Sequence, residues 1–232
     1  MRIILDSMDL AEVGTVVLER CLEKYDKCTG KVKYLQKDYA KVMKNRGEVK
    51  TYFKPLVKKD FDITFYVLPN CNGKKDLAKY GVNIMLVGQF MYKGDIYYFM
   101  FIPETKQISI YTTHLLQRYV ERHLKDDSPL NIDTFIRFMK ETDGLFPEFT
   151  DDGYKTENSC QWATSIGNTC GNVLHPNVLL HRTFINADTI VKGKKKDAFD
   201  RGSSLRQYIF IDDLGNRRLP QSITNNYKFE LV

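Results

Sequence analysis

Apolar positions recur at helical spacing through the first sixty residues of this chain. The first stripe consists of Leu10, Val13, Val17 and Cys21. Polar residues that can cap the start of this helix come just before it: Asp6, Ser7 and Asp9. Thr29-Gly30 predicts a break, and a second helix is expected over residues 31–46, ending at Gly47. Two helices joined by a short turn predict a helical hairpin over residues 1–60.

From Phe61 onward the period of the pattern changes to two, which is the spacing of β-strands. The first strand has an apolar face of Phe61, Ile63, Phe65 and Val67. We expect it to end at Pro69-Asn70, with further strands at residues 83–92, 96–102 and 107–111. Turn residues at 93–95 and 103–106 separate them, which predicts an antiparallel meander. Because residues 96–102 carry few polar side chains, this strand is expected to be central and covered on both faces.

The meander leads directly into an amphipathic helix over residues 112–124. At 100° per residue its apolar side faces a core and consists of Leu115, Leu116, Tyr119, Val120 and Leu124. The other side, which we call the His/Arg face, consists of His114, Arg118 and Arg122, flanked by Gln117 and Glu121. His123 falls among the apolar positions and is expected at the edge of the core.

The remaining pattern predicts a helix over 131–140, with Phe135, Ile136, Phe138 and Met139 as the candidates for burial. An acidic loop over 142–160 follows, then strands at 161–166, 171–174 and 179–185 with a turn at 167–171. A helix over 204–212 and a strand over 227–232 complete the chain. The expected fold is α+β, with the helical hairpin packed on a mostly antiparallel β-meander sheet that leads into the strand-to-helix His/Arg element. We expect a single domain over 1–232, built from 1–60, 61–141 and 161–232. In the alternative, 1–60 is separable.

Charge is concentrated in one segment of the chain. The net charge is +6, but residues 19–59 alone hold thirteen Lys or Arg against five Asp or Glu. In the second predicted helix the apolar stripe is Val32, Leu35, Tyr39, Val42 and Met43. The opposite side, which we call the basic ridge, consists of Lys33, Lys37, Lys41 and Lys44. Such a ridge suits the phosphates of RNA or another polyanion, and it equally suits a solvated helix face.

Composition excludes several classes of protein. A hydrophobic content of 43% indicates a folded chain. The longest apolar stretches are too short to cross a bilayer, and residues 1–14 lack the apolar core of a signal peptide, so no membrane partner is expected. Five widely spaced cysteines favour a reducing cytoplasm.

Metal and cofactor motifs are missing from the sequence. Cys160, Cys170, His175 and His181 have the spacing C-x9-C-x4-H-x5-H, which lacks the tight ligand pair of zinc sites. The chain has no glycine-rich phosphate loop, no nucleophile elbow and no H-E-x-x-H helix. We therefore expect neither a metal nor a cofactor. Trp162 is expected at the edge of the core rather than as a platform for stacking bases.

The His/Arg face is the best candidate for a working site. His114 can act as general acid or base, while Arg118 and Arg122 hold a phosphate. If the ends of their elements converge, His181 and Arg182 complete a cationic pocket, and such a pocket cleaves RNA without a metal. The alternative is a non-catalytic protein-interaction module, in which Glu121 or Gln117 pairs with the arginines on an ordinary helix surface.

The run His114-x-x-x-Arg118-Tyr119-x-Glu121-Arg122 resembles the H-x-x-x-R-Y-x-E-R helix of uncharacterised bacterial proteins, many of them from Bacteroidetes. It is loosely similar to the histidine-and-arginine helix of the RelE and BrnT ribonuclease toxins. The segment LLHRTFIN resembles the strand that follows such a helix, and the resemblance covers roughly residues 83–190. It implies a ribonuclease role for His114, Arg118 and Arg122. The toxins are shorter and have no counterpart of the long C-terminal part.

Overall fold

A computed structural model describes residues 3–43, 50–103, 105–142, 146–148, 159–189, 210–211 and 217–218. The fold is α+β, as predicted, with helices packed on a mostly antiparallel sheet. The helices are α1 (Leu10–Tyr34), α2 (Gln36–Val42), α3 (Lys74–Tyr80), α4 (Thr113–Tyr119) and α5 (Ile132–Thr142), with a π-helical turn at Val120–Leu124 and a 3-10 turn at Ala187–Thr189.

The strands of the large sheet are β1 (Thr51–Tyr52), β2 (Leu56–Asp60), β3 (Ile63–Cys71), β4 (Asn83–Tyr92), β5 (Asp95–Ile102), β6 (Gln107–Thr112), β7 (Phe146–Glu148), β8 (Ser159–Ala163), β9 (Gly167–His175) and β10 (Val178–Asn186). Two further strands pair with each other, β11 (Phe210–Ile211) and β12 (Arg217–Arg218). The order across the large sheet is β1-β3-β4-β5-β6-β10-β9-β8-β7, with β2 also paired to β3. Only the β6–β10 pair is parallel among the described strands.

Helix α1 starts as predicted and ends later than predicted. Asp9 accepts a hydrogen bond from Glu12 N, and the Glu12 side chain accepts one from Asp9 N, which completes a capping box. The expected break at Thr29-Gly30 is wrong, because the helix continues to Tyr34 while keeping Cys28 and Val32 on its buried side. Burial of that side outweighs the roughly 1 kcal/mol penalty of a helical glycine.

The second helix is shorter than expected. Leu35, whose backbone is itself right-handed helical, is the only residue between α1 and α2, so no Thr-Gly turn joins them. Within the described residues α2 ends at Val42, and Val42 is exposed instead of buried. The remainder of the predicted helix lies at 44–46, outside the described residues.

The meander is confirmed, with local differences at its first strand. Strands β4, β5 and β6 lie where they were predicted, and β5 packs with side chains of both faces in the core. Phe61 was expected on the buried face, but it is 73% exposed with a φ of 52° in the turn between β2 and β3. Strand β3 then continues through Pro69 to Cys71, beyond the predicted end.

The C-terminal part of the pattern was predicted less well. Residues 167–171 are not a turn, because they form the first half of β9 and pair with β10. The described part of the acidic loop contains strand β7. In the predicted helix over 204–212, the two described residues form β11; the rest of that helix and the expected strand over 227–232 lie outside the described residues.

Each face of the sheet has its own core. Helix α1 covers one face, where Val13 and Val17 belong to the same apolar cluster as Ile110 and Val178. Helices α4 and α5 cover the other face, with a cluster that contains Tyr111, Leu115, Leu116, Tyr119, Phe135, Phe138 and Phe184. Residues 10–34 therefore share a core with strands from both halves of the chain.

Gly14 sets how closely α1 approaches the sheet. A Cβ at this position would overlap Val178 Cγ1 and lie 3.1 Å from Ile110 Cδ1. Gly14→Ala is therefore expected to lower the free energy of unfolding by about 1–3 kcal/mol, as overpacked cores do. Gly30→Ala is the matched control, because nothing lies within 4 Å of its Cβ position. This control should gain roughly 0.5–1 kcal/mol from helix propensity. Urea unfolding measures both, and a gain for Gly14→Ala would contradict the packing described here.

Candidate functional site

Hydrogen bonds at the first turn of α4 fix the start of this helix and therefore the position of the His/Arg face. Thr112 caps the helix by accepting a hydrogen bond from Leu115 N at 3.2 Å. The same hydroxyl donates to the carbonyl oxygen of Arg182 in β10 at 2.9 Å. His114 follows on the first turn and is exposed to solvent. The start of α4 is thus held against β10, while His114 points outward.

Glu121, at the edge of the His/Arg face, pairs with its neighbours on the helix. Its carboxylate accepts hydrogen bonds from Gln117 Nε2 at 2.7 Å and from Arg118 Nη1 at 2.8 Å. The hydrogen bonds from Gln117 and from Arg118 lower the pKa of Glu121, so this carboxylate is ionised at neutral pH. The charge of Arg118 is therefore paired, in the arrangement expected of an ordinary helix surface.

Arg122 joins the π-helical turn to β10. Its Nη1 donates to the carbonyl oxygen of Phe184 at 3.0 Å, and Asn186 Nδ2 donates to the Arg122 carbonyl oxygen at 2.9 Å. Both bonds connect Val120–Leu124 to the end of β10. In this structure, Arg122 acts as a link between helix and strand.

His181 is fully buried, so it does not share an exposed surface with His114. Its ring stacks on Tyr111 with 4.4 Å between centroids and lies 4.0 Å from Trp162, which is also buried. Its Nδ1 is 2.9 Å from Thr169 Oγ1. Burial lowers the pKa of His181 to about 3, so the ring is neutral at physiological pH. Arg182, the next residue, is exposed.

The basic ridge is solvated where the structure describes it. Lys33, Lys37 and Lys41 are exposed, and Lys44 lies outside the described residues. Lys41 Nζ pairs with Asp38 at 3.0 Å. Lys33 and Lys37 form no ion pair with a carboxylate in the described ranges.

A cluster of titratable groups lies between the π-helical turn and the end of α5. Glu141 accepts hydrogen bonds from the Tyr119 hydroxyl and, at 2.9 Å, from Arg137 Nε. The Nε2 atom of His123 is 3.5 Å from Glu141 Oε2, and Arg137 Nη1 is 3.7 Å from Asp126. Burial and the Glu141 carboxylate raise the pKa of Tyr119, so its hydroxyl stays protonated and donates.

The position of His123 agrees with the sequence, but its partner was missed. As predicted, its ring lies at the core edge, stacked on Tyr119 with 5.5 Å between centroids and edge-on to Phe184. Glu141 comes from another helix, so no spacing rule pairs it with His123. The only signal was that α5 has Glu141 one turn after Arg137, which places a carboxylate near its C-terminal end.

Two features are absent from the described part of the chain. None of its His, Cys, Asp and Glu residues form a group of three or more that could hold a metal ion. Among the helices described, none is long and apolar enough to cross a membrane. Comparison of the chain with protein-family models, with curated proteins and with solved structures gives no match.

Proposed function

We propose that this protein binds RNA or another polyanion along the basic ridge. The observation that carries the proposal is the exposure of Lys33 and Lys37 on consecutive turns of the N-terminal helices, with no described carboxylate paired to either. Neutralising phosphates with such lysines releases counterions, which favours binding at low salt. The excess of positive charge over residues 19–59 adds a long-range attraction for a polyanion.

Removal of two ridge charges tests this proposal. Lys33→Gln together with Lys37→Gln is expected to weaken binding of a labelled poly(U) about 25-fold at 0.1 M salt. The slope of log affinity against log salt should also fall by about 1.4, since each lost contact to single-stranded RNA removes about 0.7. Fluorescence anisotropy over a salt series measures both quantities.

The control removes the same number of charges elsewhere. Lys59 and Lys93 are exposed at the end of the sheet where β2, β3 and β4 meet their turns. The ridge lies toward the other end of β3, where Met43 contacts Cys71 at 3.3 Å. Lys59→Gln with Lys93→Gln should leave the affinity nearly unchanged. An equal loss in both double variants would mean that net charge alone drives binding, and absence of binding by the wild type at low salt would overturn the proposal.

Metal-independent cleavage of the bound RNA is the finer proposal, for which the sequence predicts His114 as the general acid or base. Its exposure favours this role. Arg118 and Arg122 were predicted to hold phosphate, with help from His181 and Arg182. In the structure the two arginines bind Glu121 and Phe184, and His181 is buried.

The second candidate is a non-catalytic protein-interaction module. The network of Gln117 and Arg118 around Glu121 favours it, because these side chains already satisfy one another at the surface. Such a module would show no RNA binding at low salt, so the anisotropy experiment separates the two candidates.

A further inference from the structure

We propose that His123, held by Glu141, is the general acid and base of a site that cleaves RNA without a metal, in place of His114. The inference rests on the proposed function, because binding to the chain must first bring the RNA. It differs in the residue that moves the proton and in the surface where this happens.

The first argument is the way in which His123 is held. Its ring stacks on Tyr119 at an interplanar angle of 18°, and its Nε2 faces the Glu141 carboxylate at 3.5 Å. The Tyr119 hydroxyl donates to the same oxygen, Oε2, and Arg137 Nε donates to Oε1, so both oxygens of the carboxylate are held. A carboxylate beside one ring nitrogen selects the tautomer and stabilises the imidazolium that forms during proton transfer. No described residue makes a comparable contact with His114.

The second argument is the backbone under His123. Lys125 N donates to the carbonyl oxygen of Val120 at 2.8 Å, which is the i→i+5 bond of a π-helical turn. Lys125 itself then takes a left-handed conformation with a φ of 55°. Both features cost free energy, and π-helical turns are frequent at functional sites. The chain keeps this geometry at the one histidine that faces a fixed carboxylate in the described structure.

The third argument is access. The side chain of His123 is 28% exposed and that of Glu141 is 31% exposed, so both reach solvent while their packing holds them. Arg137 is 51% exposed beside them. His181 is closed to solvent and cannot meet a substrate in this state. The His123 ring is therefore held in one orientation while part of it remains accessible to solvent.

The fourth argument is the positive charge near the cluster. Lys140 precedes Glu141 in α5, and its Nζ lies 5.1 Å from the centre of the Tyr52 ring. Lys50 Nζ lies 5.3 Å from the same ring. Two ammonium groups thus flank strand β1, which follows the basic ridge in the chain. Positive charge near Glu141 favours the approach of a phosphate backbone to this surface.

The proposed step needs no co-reactant. The 2′-oxygen of a ribose attacks the neighbouring phosphorus while His123 accepts the 2′-hydroxyl proton. The bond from phosphorus to the 5′-oxygen breaks, and His123 returns the proton to that oxygen. The products are a 2′,3′-cyclic phosphate and a free 5′-hydroxyl, so every atom of the RNA is accounted for. Glu141 is a positioning residue that holds the imidazole and its transient charge.

The test compares matched histidine variants on poly(U) in the presence of EDTA. His123→Phe keeps an aromatic ring for Tyr119 to stack on but cannot move a proton. We expect it to lose cleavage by about 10²–10⁴-fold, the usual contribution of general acid–base catalysis, with poly(U) affinity unchanged. Glu141→Gln should lower kcat about tenfold or more and leave KM unchanged, because it acts only through the imidazole. His175→Ala, at an exposed histidine outside both candidate surfaces, should keep wild-type cleavage, and poly(dT), which lacks the 2′-hydroxyl, should stay intact.

Each other outcome is decisive. Wild-type protein that binds poly(U) without cleaving it overturns this inference and leaves the proposed function standing. Absence of binding overturns both. Loss of cleavage in His114→Ala with retention in His123→Phe assigns the chemistry to the His/Arg face instead. Thermal unfolding of each variant shows that it is folded, and if His123→Phe does not fold, His123→Gln carries the comparison.

Discussion

Asp60→Ala is expected to lower the free energy of unfolding by about 3–5 kcal/mol, the usual effect of removing one partner from a buried ion pair. Asp60 Oδ2 lies 3.1 Å from Arg20 Nη1 and 3.0 Å from Lys24 Nζ. The side chain of Arg20 is only 4% exposed and that of Asp60 is 9% exposed. Without the carboxylate, the buried guanidinium of Arg20 would lose this ionic partner and would lie close to the cation of Lys24.

Asp38→Ala is the matched control for this prediction. Asp38 pairs with Lys41 at the same distance of 3.0 Å, but both side chains are largely exposed. Removal of such a surface pair costs at most about 1 kcal/mol. Urea unfolding at one pH and salt concentration compares the two variants. A similar, small effect of both substitutions would contradict a structural role of the Arg20–Asp60 pair.

Lowering the pH from 7 to 5 is expected to remove about 2 kcal/mol of stability through His181 alone. Burial among uncharged groups lowers its pKa to about 3 in the folded protein, against 6.5 in the unfolded chain. Below pH 6.5 the unfolded state therefore binds a proton that the folded state does not. Stability falls as the pH drops from 6.5 toward 3 and levels off below that, whereas above 6.5 this group has no effect.

A pair of histidine variants isolates this contribution. His181→Phe retains a ring between Tyr111 and Trp162 and cannot titrate, so its stability should fall less steeply between pH 7 and pH 5. The comparison uses slopes, which are independent of the constant cost of losing the Thr169 contact. His181→Gln, which also cannot titrate, should show the same reduced slope. Identical slopes for wild type and His181→Phe would show that the buried imidazole does not titrate as described.

Local signals in the sequence predicted much of the first half of the fold. The helix cap at Asp9 and the turn at Lys93-Gly94 could be predicted, since both depend on residues close together in the chain. The predicted helix end at Gly30 was wrong, because a glycine ends a helix only when the side chains on either side of it gain nothing from burial. The predicted burial of Phe61 was wrong, because an alternating pattern does not show where a two-residue turn begins.

Contacts between elements that lie far apart in the chain could not be predicted from the sequence. The parallel register of Tyr111 with His181 brings together strands from two separate meanders. No turn chemistry or period connects them, so the burial of His181 could not be predicted. For the same reason the sequence showed which residues share the His/Arg face but not that Glu121 pairs with Arg118, or that Glu141 meets His123 from another helix.

The approach of α1 to the sheet has a consequence for how the chain folds. Gly14 lies against Val178 and Ile110, so the first helix completes its core only after strand β10 has been synthesised. Contacts between residues so far apart in sequence require closure of a very long loop, which slows folding. During synthesis the apolar stripe of α1 therefore lacks strand β10, against which it packs in the folded protein. The nascent chain is expected to be aggregation-prone until its last large strands emerge, and a truncation before β10 should yield insoluble protein.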